Sequence, residues 1–182
     1  MWKALALGLA LTGAMAALAA GVLVGGGGSE PSPAAATSGT AEGAGLLPRA
    51  PALAGVDVIT GEAVSIADFA GQPVVVHVWA SWCSPCAEEA DALGRFAAAH
   101  PDVAVLGIDF QDDPASARRF SERFDWEHPS IADPQGELAA RLALLDLPTT
   151  IFLSAEGRIV SRINAPADLA ALEDGLERAR RA

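Results

Sequence analysis

Cysteine, histidine and basic residues are scarce in this 182-residue chain, and each shortage argues against a class of site. A structural zinc site needs four ligands, and the three scattered histidines show no paired spacing that would add two ligands to the two cysteines. Twelve basic residues against twenty-three acidic ones leave a net charge of −11, which argues against binding to nucleic acid or to an anionic membrane surface. We therefore expect no metal, no cofactor and no nucleic-acid partner.

The amino-terminal part of the chain is almost free of charge. Residues 4–24 form an uncharged, apolar run of about the length that spans a bilayer, and Lys3 is the only cation before Arg49. A signal-peptide core is usually shorter, about 7–15 residues, although the small residues at 17–19 also resemble a cleavage site. We expect an uncleaved membrane anchor in residues 1–24, with a signal peptide as the alternative, and Lys3 on the cytoplasmic side.

Two further segments complete the predicted organisation. Residues 25–45 are rich in Gly, Ser, Pro and Ala and contain no large apolar residue. Such a segment cannot bury enough surface to offset the entropy lost on ordering, so we predict a flexible linker. Residues 46–182 have a globular composition and a length typical of one domain. Lys3 would place this domain on the extracytoplasmic side of the membrane, or in the secreted or periplasmic fraction if the amino terminus is cleaved.

Hydrophobic periodicity predicts strands that alternate with helices. Residues 53–58 and 62–66 flank Thr60-Gly61 and predict a hairpin. Alternation of strands and helices, followed by a hairpin and a final helix, predicts a mixed sheet covered by helices on both faces. The later predicted elements are a helical turn at 66–70, strands at 73–79, 103–110, 130–132, 149–153 and 158–163, and helices at 85–100, 114–124, 136–145 and from Asp168 onward.

The most specific pattern is Trp82-Cys83-Ser84-Pro85-Cys86, which holds both cysteines in Cys-x-x-Cys spacing. It follows the apolar strand at 73–79 and begins an amphipathic helix. Amides and the dipole at a helix N-terminus stabilise a thiolate, so we predict that Cys83 attacks with a pKa below the free value of ~8.5 and that Cys86 resolves the mixed disulfide. The alternatives are a zinc site and a passive disulfide, which would close a small loop and stabilise the fold little.

Together with Leu147-Pro148-Thr149 later in the chain, these residues resemble the thioredoxin fold and, within it, the membrane-tethered TlpA/ResA-like thiol–disulfide oxidoreductases. The resemblance covers roughly residues 51–176. It implies an α/β thioredoxin fold with a central mixed sheet, an N-terminal β-hairpin and an inserted helix and strand. A peroxiredoxin would carry a threonine three residues before its cysteine, where this chain has Ala80.

The resemblance also implies a substrate site. Pro148 would be cis and face the dithiol, Leu147 would pair its backbone with an extended substrate, and Trp82 would lie beside the cysteines. The alternative for Pro148 is an ordinary proline at the start of a strand. This chain has Asp146 where the family often has glycine.

Two further residues are candidates for proton handling. The resembled family often carries a glutamate at the position of Glu89, close to the buried thiol, and His77 occupies the position where thioredoxins place a buried acid. The alternatives are a solvated glutamate on the helix face and a core histidine that bonds to backbone.

The function implied by the resemblance is reduction of protein disulfides outside the cytoplasm, with electrons supplied by a membrane donor of the thiol-reductant type. We expect protein thiol or disulfide substrates, a monomer and a single-pass attachment to the cell membrane. Two alternatives remain open from the sequence: a disulfide-forming oxidase of secreted proteins and a non-catalytic binding module of the same fold.

Overall fold

The structure, a computed structural model, describes residues 48–182. The predicted anchor (1–24) and linker (25–45) lie outside the described residues. Within the described part, no helix has both the length and the apolar character needed to cross a membrane.

Seven strands and four helices follow one another in the described residues, with a 3₁₀ turn at Ile66–Phe69. They are β1 Ala54–Val56, β2 Ala63–Ser65, β3 Val74–Trp79, α1 Ser84–Ala99, β4 Ala104–Phe110, α2 Pro114–Arg123, β5 Ser130–Asp133, α3 Glu137–Arg141, β6 Thr149–Leu153, β7 Ile159–Ile163 and α4 Leu169–Arg181.

The main sheet has five strands in the order β5-β4-β3-β6-β7. Strands β3, β4 and β5 are parallel, whereas β6 runs antiparallel to β3 and β7 antiparallel to β6. All six residues of β3 are buried, as a central strand covered on both faces requires. Strands β1 and β2 form a separate hairpin, which a bridge from Asp57 to Ile131 connects to β5. The predicted mixed α/β sheet with its N-terminal hairpin is confirmed.

Helices cover both faces of the sheet. The crossovers from β3 to β4 and from β4 to β5 advance in the same direction, so a common handedness puts α1 and α2 on one face. Buried residues of α1, α2 and α4 belong to the cluster that contains both cysteines. The other cluster contains residues of α3 and of the segment before β3. The dithiol therefore lies where α1 leaves the central strand, against the larger of the two cores.

One predicted element is wrong in length. The helix expected over 136–145 ends at Arg141, and Ala143 has a φ of +51°, in the left-handed region. The Arg162 side chain, from β7, donates to the carbonyl of Leu142 at 2.6 Å and to that of Ala143 at 3.3 Å. Because a distant side chain satisfies these terminal carbonyls, the helix stops and residues 144–148 are left as a loop.

Candidate dithiol site

The turn between β3 and α1 places the two cysteines. Cys83 is the N-cap of α1, and its amide donates to the carbonyl of Ala80 at 3.1 Å. Pro85 lies in the first helical turn, where a missing amide hydrogen costs the helix little. The sulfur atoms of Cys83 and Cys86 are bonded at 2.07 Å, and the Cys83 sulfur accepts the Cys86 amide at 3.2 Å. The structure therefore represents the oxidised form, with a helix amide already directed at the outer sulfur.

The two cysteines differ in what they face. Cys83 is 5 % exposed and lines an open groove of about 520 Å³, whereas Cys86 is fully buried and does not line it. The groove is also lined by Trp82, Phe110 and residues 144–147. A substrate sulfur that enters the groove reaches Cys83 first.

The far wall of the groove is the loop before β6. The peptide bond between Leu147 and Pro148 is cis. Leu147 lines the groove, whereas Pro148 is buried and is not among the lining residues. The Leu147 amide donates to the Asp146 carboxylate at 2.8 Å, and the Thr149 hydroxyl donates to the Asp146 carbonyl at 2.7 Å. The structure therefore brings the predicted Leu147 and the dithiol together in one groove, which Asp146 also lines.

The turn before Cys83 is held by the loop after β4. The amide and the hydroxyl of Ser81 both donate to the Asp112 carboxylate, at 2.5 and 2.9 Å. Trp82 is 59 % exposed, but its indole nitrogen donates to the carbonyl of Gln111 at 3.2 Å. Sequence reasoning missed Asp112. The position of Asp112 shortly after β4, a parallel strand next to β3, could have predicted its role. The carboxyl ends of parallel strands meet at one edge of a sheet, so the loops that follow β3 and β4 lie close together.

Glu89 and His77 meet in the core of the domain. His77 is fully buried and Glu89 is 4 % exposed, with Nε2 of His77 at 3.4 Å from Oε1 of Glu89. Nδ1 of His77 lies 3.2 Å from the Thr150 hydroxyl, and the other Glu89 oxygen accepts the Ala167 amide at 2.6 Å. Glu89 is therefore not a solvated residue, and His77 contacts side chains rather than backbone groups.

Burial decides the charges of this pair. Burial raises the pKa of Glu89 to about 7, although the hydrogen bond from the Ala167 amide opposes the rise. Burial, with a smaller contribution from nearby His128, lowers the pKa of His77 to about 3. A separation of 3.4 Å would suit an ion pair, but the cost of placing two charges in the core outweighs their attraction here. Near neutral pH the imidazole is therefore uncharged, and the carboxyl group exchanges a proton.

A second buried carboxyl group lies at the end of the neighbouring strand β4. Asp109, at the end of β4, is 2 % exposed and pairs in register with Trp79 of β3. Burial raises its pKa to about 8, and the negative charges of Asp112, Asp113 and Asp133 add to the rise. The sequence analysis did not single out Asp109, because nothing in a strand of buried residues marks which acid keeps its proton.

The sequence model of the AhpC/TSA family matches residues 48–162, most of the described part of the chain. The chain belongs to the AhpC/TSA family.

Relatives of this AhpC/TSA-family chain have a common activity. The thiol-disulfide oxidoreductase ResA of Bacillus thuringiensis subsp. konkukian is 22 % identical over 122 residues, which cover 66 % of this chain and 70 % of ResA. The thiol:disulfide interchange protein DsbE of Pseudomonas fluorescens biotype C is 35 % identical over 94 residues, 51 % of this chain and 52 % of DsbE.

A solved structure gives the same result. The crystal structure of a secreted Mycobacterium tuberculosis disulfide oxidoreductase homologous to Escherichia coli DsbE has a TM-score of 0.62 at 25 % identity, covering 71 % of this chain and 96 % of that one. This AhpC/TSA-family chain is a thiol–disulfide oxidoreductase of the TlpA/ResA/DsbE type with a thioredoxin-like fold. The predicted family, fold and activity are thereby confirmed.

Proposed function

We propose that the chain is an extracytoplasmic reductase of protein disulfides, in which Cys83 attacks the substrate and Cys86 resolves the intermediate. The observation that carries the proposal is the asymmetry of the two sulfurs. Cys83 lines the groove and caps α1, whereas Cys86 is fully buried one turn into the helix. An attacking thiolate needs access and hydrogen-bond donors, and among the two cysteines only Cys83 has both.

The reaction starts from a Cys83 thiolate and a protonated Cys86. The thiolate attacks one sulfur of the substrate disulfide, that bond breaks, and the departing substrate thiolate takes a proton from solution. Cys86 then gives up its proton and attacks the Cys83 sulfur, which releases the second substrate thiolate, and this thiolate takes a proton from solution. The substrate has gained two electrons and two protons, and the Cys83–Cys86 disulfide has formed. A dithiol donor in the membrane would return the two electrons to the enzyme.

Glu89 is proposed to take the proton that Cys86 loses. It follows Cys86 by three residues on α1, and residues at this spacing lie on the same face of a helix. A carboxylate whose pKa is about 7 is basic enough to accept a proton near physiological pH. His77 is proposed to hold the Glu89 carboxyl group in place through the contact at 3.4 Å.

The proposed location outside the cytoplasm has three supports. The apolar run at 4–24 has the length of a membrane anchor, and Lys3 precedes it. The Mycobacterium tuberculosis relative is a secreted protein. Pairing of the two cysteines as a disulfide also suits an oxidising compartment. We propose that a monomer is tethered to the membrane through residues 1–24 and a linker at 25–45.

Trapping experiments test the proposed roles of the cysteines. Cys83→Ser should abolish reduction of insulin disulfides, and full activity in this variant would refute the proposed nucleophile. Cys86→Ala should accumulate mixed disulfides with substrate proteins, because the resolving thiol is missing. Ser84→Ala, which changes the same turn but keeps both cysteines, is the matched control and should remain active without accumulating such complexes.

The direction of the reaction needs a separate measurement. Equilibration of the Cys83–Cys86 pair against glutathione should give a reduction potential near the thioredoxin value of about −270 mV. A potential near about −120 mV, the value of a strong dithiol oxidant, would overturn the reductase proposal in favour of disulfide formation.

A further inference from the structure

We propose that the groove beside Cys83 takes an extended, cysteine-containing polypeptide segment with a large apolar and a basic side chain, and that Asp146 selects for the basic one. This preference names the substrate class of the same site, and it rests on the disulfide exchange proposed above.

The apolar part of the preference follows from exposure. Leu145 is 81 % and Trp82 59 % exposed, the two highest values among the large apolar side chains of residues 48–182. Both line the groove that contains Cys83. Large apolar side chains that stay in water next to a reactive group are typical of a binding surface. A segment whose cysteine reaches Cys83 therefore lies in a groove with two exposed apolar side chains in its lining.

The basic part follows from one hydrogen bond. Leu147 lines the groove, and an extended chain lying there would use its backbone amide for pairing. In this protein the amide already donates to the Asp146 carboxylate at 2.8 Å. An incoming carbonyl must therefore displace a charged acceptor, which binds the amide more strongly than a neutral one does. A Lys or Arg side chain on the substrate would attract the carboxylate and free the amide.

Asp146 differs from the other acids near the dithiol in having so few partners. The Asp112 carboxylate accepts three hydrogen bonds, from the Ser81 amide, the Ser81 hydroxyl and the Asp113 amide. The Asp113 carboxylate accepts two, both from Ser116. Among the described residues, the Asp146 carboxylate accepts only the Leu147 amide, and no lysine or arginine lines the groove. Asp146 is thus the acid with the most capacity left for a cation.

The surrounding backbone is held so that only the Asp146 side chain has to move. Arg162 binds the carbonyls of Leu142 and Ala143 at the start of the loop. The Thr149 hydroxyl binds the Asp146 carbonyl at 2.7 Å at its end. Release of the Leu147 amide therefore needs a rotation of one exposed side chain and no change in the loop.

The test uses three peptides that differ at one position beside the cysteine, which is Arg, Gln or Glu. Each peptide is joined through its cysteine to the same chromophoric thiol, and the rate constant for its release by the reduced protein is measured. We expect the Arg peptide to react about tenfold faster than the Glu peptide, since an exposed charge pair changes binding by a few-fold in each direction. Asp146→Asn should reduce this ratio to less than about twofold.

Two further variants complete the comparison. Asp146→Gly should accelerate the Gln peptide, because the Leu147 amide is then unoccupied. Glu62→Gln removes the same charge beside the start of β5, where Glu62 shares a cavity with Glu127 and Pro129. The groove lies near the other end of β5, where the groove residue Phe110 pairs with Asp133. Because Glu62 is not near the groove, Glu62→Gln should leave the ratio of the Arg-peptide rate to the Glu-peptide rate unchanged.

Equal rates for the three peptides would overturn the proposal, as would an Arg preference that survives in Asp146→Asn. Faster reduction of oxidised glutathione, a small anionic disulfide, than of the Arg peptide would also overturn it. The neutral disulfide of 2-mercaptoethanol separates this failure from failure of the proposed function. If the reduced protein does not react even with that compound, the exchange chemistry itself is wrong. If that compound reacts but the peptides show no charge preference, only the role of Asp146 is wrong.

Discussion

The groove in front of Cys83 and the core beneath Cys86 are two different environments on one turn of helix. The groove is open, and its lining includes exposed apolar side chains and the carboxylate of Asp146. The core holds Glu89 and His77, both buried, at 3.4 Å from each other. In the proposed mechanism, the helix separates two tasks that one disulfide exchange requires: contact with a substrate on one side and control of a proton on the other.

This separation predicts, first and with the largest effect, unequal alkylation of the reduced protein. Cys83 should react with iodoacetamide at least about 100-fold faster than Cys86 at neutral pH, because it lines the groove and lies at the N-terminus of α1, where helix amides stabilise a thiolate. Mass spectrometry of the digested protein after a short exposure measures the two rates. Comparable modification of both cysteines would mean that the two environments do not differ in solution.

Next, loss of the buried acid should affect one reaction step and spare the other. Glu89→Gln should slow resolution by Cys86 about 100-fold, the usual contribution of a positioned base, and change the attack by Cys83 by less than about threefold. Rapid-quench analysis of the mixed disulfide separates the two steps. Glu88→Gln changes the exposed neighbour on the same helix and should leave both steps unchanged. An equal loss in both steps for Glu89→Gln would point to a purely structural role.

The same carboxyl group should make stability depend on pH. Its folded-state pKa of about 7 lies above the ordinary value of 4.5, so the folded protein holds a proton that the unfolded chain releases in this interval. The stability contribution is therefore fully present below pH 4.5 and is lost as the pH rises through 7.

Relative to Glu89→Gln, the wild type should lose about 2–3 kcal/mol between pH 4.5 and pH 8. Urea denaturation of both proteins across this interval measures the difference. The wild type must be compared with the variant because two other buried groups also make stability depend on pH. Asp109, whose pKa is about 8, also lowers the stability as the pH rises. The neutral, buried His77 raises the stability as the pH rises, over a lower pH interval. If the difference in unfolding free energy between the two proteins stays constant across this pH interval, Glu89 has an ordinary pKa and the prediction is wrong.

The smallest expected effect concerns the apolar wall of the groove. Leu145→Ser should lower the rate constant for a peptide disulfide by about fivefold, because one exposed leucine contributes on the order of 1 kcal/mol to binding. Reduction of the 2-mercaptoethanol disulfide should not change, since so small a substrate does not reach Leu145. Rates for both substrates, measured side by side, check this. A parallel loss for both would place Leu145 in the support of the dithiol rather than in the groove.

Local patterns were sufficient to predict most of the fold. The apolar run of β3, the Cys-x-x-Cys turn and the amphipathic helix after it involve residues close in sequence, and each was placed within one or two positions. The end of α3 was misplaced because its last carbonyls bind Arg162, about twenty residues later in the chain. No helical periodicity contains that information.

By itself, then, the sequence determined the sheet, the dithiol and the family, since these depend on periodicity and on short spacings. Only the tertiary structure decided that His77 of β3 faces Glu89 of α1, that Asp112 holds Ser81, and that Asp146 occupies the Leu147 amide. The first two contacts join separate elements, and the third depends on the loop geometry that Arg162 and Thr149 impose. The pKa and the contacts of an acidic side chain depend on the groups that surround it in space, and its neighbours in the chain do not specify those groups.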